Sequence, residues 1–138
     1  MKTEKVFTLV FLIALIGHYF GVVGSLSFLL ISLLGISLMY FPLALFFYAD
    51  KNLKQQKIEL SIIGGMVLSI IPMAILFKIA HWTGHEALFD IAITLTPIFL
   101  VALIMYNKKK SGELKTYYQN FLIRTVFWLL LLVCFYFI

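Results

Sequence analysis

The stretch Leu76–Asp90, LFKIAHWTGHEALFD, gathers Lys78, His81, His85, Glu86 and Asp90 around Trp82 and Gly84, with a long apolar run on either side. Its reading decides the fold. With helices on both flanks, Thr83-Gly84 becomes a reversal and the chain is built from hairpins, because glycine allows the backbone conformations that a tight turn needs. The tryptophan then belongs at a boundary, its ring in an apolar layer and its N–H toward water.

Working outward, the flanking runs have the dimensions of membrane spans. Of the 138 residues 63% are hydrophobic and only 12% charged, and the mean hydropathy of +1.06 lies far outside soluble composition. An apolar helix of about 20 residues crosses a hydrocarbon core of roughly 30 Å. A bilayer offers no water to loose backbone groups, so only helices and closed barrels span it. The runs lack the strict alternation of a barrel strand, which excludes the barrel. Five spans are expected, about Val6 to Phe20, Ser25 to Tyr48, Leu60 to His81, Leu88 to Tyr106 and Tyr118 to Ile138.

Charge then orients them. The net charge of +5 would suit nucleic acid, but the lysines fall in alternate loops. Lys2 and Lys5 precede the first span, Lys51, Lys54 and Lys57 follow the second, and Lys108, Lys109, Lys110 and Lys115 follow the fourth. Opposite them stands only Lys78. The positive-inside bias puts the N-terminus in the cytoplasm and the C-terminus outside, in a multi-pass membrane protein. The lipid bilayer is the expected partner, with anionic headgroups as counter-charge, together with a second copy of the chain or an envelope membrane protein; nucleic acid is not expected. The single cysteine, Cys134, forms no internal disulfide.

An internal repeat sets the organisation. LIGHYFGVVG, Leu15–Gly24, aligns with KIAHWTGHEA, Lys78–Ala87, so that His18 matches His81, Tyr19 matches Trp82 and Gly21 matches Gly84. Each H-aromatic-x-G is followed by an apolar span, a tyrosine and a basic loop. The fold class is therefore all-α integral membrane, two tandem helical hairpins plus a fifth helix. Residues 1–57 make the first hairpin with its basic loop, 58–115 the second, and 116–138 the fifth helix, all in one membrane domain. Lys2, Lys5, a short apolar core and Val22-Val23-Gly24 also read as a secretory signal, but cleavage after Gly24 would cut the first hairpin at its turn.

Within the spans, Pro42, Pro72 and Pro97 are expected to kink helices without breaking them. Ser61, Gly65 and Ser69 recur every four residues on the third helix, and Gly17-x-x-x-Gly21 does so on the first, as faces for helix packing. Arg124 is expected to snorkel at the cytoplasmic end of the fifth helix among Tyr117, Tyr118 and the headgroups.

The polar cluster itself admits three readings. In an antiparallel hairpin Lys78 and Asp90 share nearly one depth, so a bridge from Lys78 to Asp90 or Glu86 would staple the turn and reduce an insertion cost of roughly 2.5–3.5 kcal/mol at full depth. Alternatively, His81 and His85 share a helical face and bind a metal with Glu86 and Asp90. That spacing has meaning only if no helix ends at Gly84. A proton relay would use His18, His81 and Asp90, all close to the outer surface and without an acidic residue at the midplane. Neither a Ser/His/Asp nor a Cys/His set nor a phosphate loop is present, so no catalytic residue and no cofactor is expected.

The stretch resembles the L-F-K-I-x-H-W-P-G-A signature at the first hairpin of the gliding-motility protein L (GldL-like) family and of small membrane proteins of Bacteroidota. The match covers Leu76 to Ala87, with Thr83 where that family has Pro and His85 where it has Ala. Motor members assemble such hairpins around a single-span partner into a proton-driven engine for gliding and type 9 secretion. They carry an acidic residue about four turns past the His, where this chain reads Thr94, Leu95, Thr96 and Pro97. The resemblance thus implies a shared hairpin more than a shared task. The expected function is a non-catalytic helix-packing subunit or interaction protein of an envelope complex. An ion- or proton-coupled subunit of a gliding-type motor is the alternative, and an outer-face metal-dependent enzyme the third.

Overall fold

The computed structural model describes residues 2–41, 58–108 and 113–137. They form five α-helices, with no strand among the described residues: α1 Lys2–Tyr19, α2 Ser25–Tyr40, α3 Ile58–Ile79, α4 His85–Lys108 and α5 Glu113–Phe137. Pro42, the lysines 51, 54, 57, 109 and 110, and the expected end of the second span at Tyr48 lie outside the described residues.

Among the described residues three helices are long and apolar enough to cross a membrane, within Glu59–Ile79, His85–Lys108 and Lys115–Phe137. α1 spends its first turns on Lys2, Glu4 and Lys5. α2 is a shorter apolar helix of 16 described residues, about 24 Å at ~1.5 Å per residue, and the rest of the expected second span lies outside the described residues. Pro72 and Pro97 lie inside α3 and α4, which continue through them.

Consecutive helices pack against one another, and α3 also packs on α5. α3 is the central element, its apolar window 61% buried against 28% for α4 and for α5. It carries Leu68, Ile71, Ala74 and Ile75 in the core. α1 and α2 join this α3–α4–α5 triangle through α2, and reach α5 by side chains around Trp128. That indole is 1% exposed, with its ring 6.1 Å from Phe11 and 6.2 Å from Tyr40. The outside is apolar as well: Ile13, Ile31, Ile98, Ile123 and Leu130 are all exposed, a surface that suits lipid and not water.

Close approach rests on two aromatic-over-glycine seats. A Cβ at Gly35 would stand 2.5 Å from Phe7 Cε1, and one at Gly64 would overlap the Phe121 ring and lie 3.1 Å from Phe99 Cζ. Of the expected packing face, Ser61 is buried and hydrogen-bonds the Tyr117 hydroxyl of α5. Gly65 is buried, and the Ser69 carbonyl accepts the Ser37 hydroxyl of α2 at 3.0 Å. The expected Gly17/Gly21 face does not run on to Gly21 within α1, while Gly17 stands beside Ser25 at the start of α2. α1 ends at Tyr19, Gly17 meets Val22 and Ser25 of its own hairpin, and Gly21 has a left-handed backbone with open space around it.

Side-chain links also show the helices alternating in direction. Glu4, Tyr40, Ser61, Tyr117 and Arg124 meet toward one end, and Lys78, Phe89, Phe135 and Tyr136 toward the other.

Candidate functional site

Both hairpins leave their first helix by one hydrogen-bond pattern, and its register differs from the H-aromatic-x-G alignment. In the first turn Gly21 N–H donates to His18 O at 3.1 Å, Val22 N–H to Gly17 O at 2.9 Å and Ser25 N–H to Val22 O at 3.2 Å. In the second, His81 N–H donates to Lys78 O at 3.2 Å, Trp82 N–H to Phe77 O at 3.0 Å and His85 N–H to Trp82 O at 3.3 Å. Even a side-chain bond repeats: Ser25 Oγ donates to Val22 O at 2.7 Å, and His85 Nδ1 lies 3.0 Å from Trp82 O.

These are Schellman closures, in which the residue after the helix takes a left-handed backbone and the next residue folds back onto the last turn. The left-handed position is Gly21 (φ 71°) in one and His81 (φ 52°) in the other, while Gly24 (φ 85°) and Gly84 (φ 87°) precede the returning helices. The apolar contact that accompanies this motif is Trp82 on Phe77, edge to face at 5.0 Å. His18 therefore corresponds to Lys78, and Gly21 to His81. Matching by residue type paired the two histidines, but the backbone motif requires only a residue that tolerates the left-handed region.

Lys78 pairs with neither Asp90 nor Glu86 among the described residues. Its ammonium donates to the Phe135 carbonyl near the end of α5 and stands 5.0 Å from the Phe89 ring centroid. The reason is helical geometry. Phe89 belongs to the buried stripe of α4, with Ala92, Thr96, Phe99 and Leu103. Asp90, the next residue, is turned by about 100° and is exposed.

Nor does the turn assemble a metal shell. His81 sits in the turn, His85 opens α4, and Glu86 and Asp90 are exposed. Because the helix is interrupted between the histidines, their four-residue spacing loses its meaning. Among the described residues no group of three or more His, Cys, Asp or Glu is placed to hold a metal.

The most developed polar cluster lies toward the opposite end, built from residues outside the turn signature. Arg124 of α5 grips Glu4 of α1 as a fork, Nε to Oε1 at 2.8 Å and Nη2 to Oε2 at 2.9 Å. The Tyr40 hydroxyl of α2 donates to Glu4 Oε1 at 2.8 Å and accepts the Trp128 indole N–H at 2.9 Å. The Arg124 and Glu4 side chains are 20% and 13% exposed. Planar guanidinium and carboxylate match two bonds at once, which fixes geometry as well as charge.

Arg124 is thus held by Glu4, while Tyr117 turns to Ser61 and stacks edge-on to Phe121 at 5.2 Å. That corrects the expected snorkelling. The available signal was one charge of each sign on two apolar helices, Glu4 in the first turn of α1 and Arg124 within α5. The cluster borders an open groove of about 420 Å³ between α1 and α5, walled by Leu9, Leu12, Ile123 and Phe127.

The remaining buried hydroxyls are satisfied on their own helices and present nothing to a ligand. Thr96 donates to Ala92 O at 2.6 Å, Thr125 to Phe121 O at 2.8 Å and Ser32 to Leu29 O at 2.9 Å. Comparison with protein-family models, with curated proteins and with solved structures returned no match.

Proposed function

We propose that this chain is a non-catalytic, multi-pass protein of a bacterial inner membrane, acting as a helix-packing subunit or interaction protein of an envelope complex. It spans five times, as two tandem hairpins and a fifth helix, with its N-terminus in the cytoplasm and its C-terminus outside. The observation that carries this reading is the use made of the polar side chains. Lys78 closes the end of α5, the Glu4–Arg124–Tyr40–Trp128 cluster ties α1, α2 and α5, and Ser61 ties α3 to Tyr117. Each joins one helix to another.

Two further observations support the membrane orientation. The exterior is apolar, and by helix direction Lys5, Lys108 and Lys115 fall at one end of the bundle with Lys78 at the other. Lipid removes the hydrophobic drive between helices, which leaves close packing and interhelical hydrogen bonds to hold them. The likeness of Leu76–Ala87 to the gliding-motility protein L signature is read as a shared hairpin.

Single cysteines in a Cys134→Ala background test the topology. In intact cells a cysteine at Thr83 should react with an impermeant thiol reagent, and cysteines at Lys54 and Lys109 should react only after permeabilisation. Labelling at Lys109 and not at Thr83 would overturn the orientation. Purification in mild detergent, with mass spectrometry of co-purifying chains, should show a stoichiometric membrane partner or a homo-oligomer. A lone monomer would sink the subunit reading.

A further inference from the structure

α1 and α5 meet along an open seam. Among the described residues no Cα of α1 comes within 8 Å of one in α5; the two helices touch through the Glu4–Arg124 fork and the Phe11–Trp128 ring pair. What lies between them is the groove of about 420 Å³, apolar along Leu9, Leu12, Ile123 and Phe127 and polar only where Glu4, Lys5, Thr8, Tyr40 and Arg124 meet.

We propose that this seam binds one anionic phospholipid of the surrounding bilayer, its acyl chain along the apolar wall and its headgroup at Lys5. The inference rests on the membrane reading above. Glu4 offsets Arg124, so exposed Lys5 gives the mouth its net positive charge. The charged end lies at the start of α1, on the cytoplasmic side of the topology, where basic pockets between spanning helices recruit anionic headgroups. The volume falls in the range of small-ligand sites, and a polar mouth at one end of an apolar wall matches the amphiphilic layout of a single lipid.

Trp128 lines this groove and supplies the probe. The full chain carrying Trp82→Phe, which leaves Trp128 as its only tryptophan, would be placed in nanodiscs of phosphatidylcholine. Acyl-brominated phosphatidylglycerol or acyl-brominated phosphatidylcholine would then be titrated in. Phosphatidylglycerol should quench Trp128 half-maximally at a mole fraction at least fivefold lower than phosphatidylcholine. Lys5→Gln should remove that preference and Lys5→Glu reverse it, and Leu12→Phe, which fills the wall, should weaken quenching by both lipids. Equal quenching by the two lipids in the parent, or a preference that survives Lys5→Gln, overturns the proposal while leaving the membrane reading in place. Exclusion of the chain from the discs overturns both.

Discussion

Lys78 of α3 donates its ammonium to the backbone carbonyl of Phe135, in the last turn of α5. The last four carbonyls of a helix have no intrahelical donor and carry the negative end of its dipole. One cation therefore closes α5 from a neighbouring helix, while its charge rests against Phe89 of a third.

Lys78→Met keeps the apolar stem and removes the donor, so it should destabilise the fold by about 1–2 kcal/mol, read as a lower melting temperature in mild detergent. Asp90→Asn and Glu86→Gln should leave the melt unchanged, alone or on top of Lys78→Met. Recovery of the Lys78→Met loss by Asp90→Asn would reinstate the hairpin staple.

The fork between Arg124 and Glu4 is mostly shielded, so removing one partner leaves the other charge poorly solvated. Glu4→Gln and Arg124→Met should each cost about 1–3 kcal/mol, less than a fully buried pair because both side chains retain some exposure. The double variant should cost less than the sum of the two singles. Strict additivity in chemical denaturation would show that the two residues act independently.

Tyr40 both donates to Glu4 and accepts from Trp128. Tyr40→Phe strands the buried indole N–H, for which a loss of about 1–3 kcal/mol is expected. The Trp128 emission spectrum should shift as its hydrogen bond disappears. An unchanged spectrum and melt would remove Tyr40 from the cluster.

His81 occupies a left-handed position that its counterpart, Gly21, fills without steric cost. His81→Gly should stabilise the protein by about 0.5–1 kcal/mol, and Gly21→Ala should destabilise it by a similar amount. Opposite shifts in melting temperature confirm the shared turn; a loss in His81→Gly would mean that the imidazole contributes something the turn does not require.

Gly64 seats Phe121, and Gly35 seats Phe7. Alanine at either position forces an aromatic ring out of a close contact, at about 1–3 kcal/mol each. Gly64→Ala should be the more damaging, since Phe121 is fully buried. Thermal melts at equal detergent concentration would rank them.

Hydropathy and run length are properties of consecutive residues, and so the sequence by itself determined the all-helical class, the order of five helices and the reversals near Gly24 and Gly84. The same local signals located Lys78, Trp82 and Gly84 at a turn. Tertiary structure decided what those residues touch. Lys78 reaches a carbonyl 57 positions away, and Glu4 meets Arg124 across 120; such pairings leave no trace in spacing, because only the packing of the helices brings the partners together. The turn register was hidden for another reason. A Schellman closure is a pattern of backbone bonds, indifferent to whether glycine or histidine adopts the left-handed conformation, so an alignment by residue type matched His18 to His81 where the backbone matches Gly21 to His81.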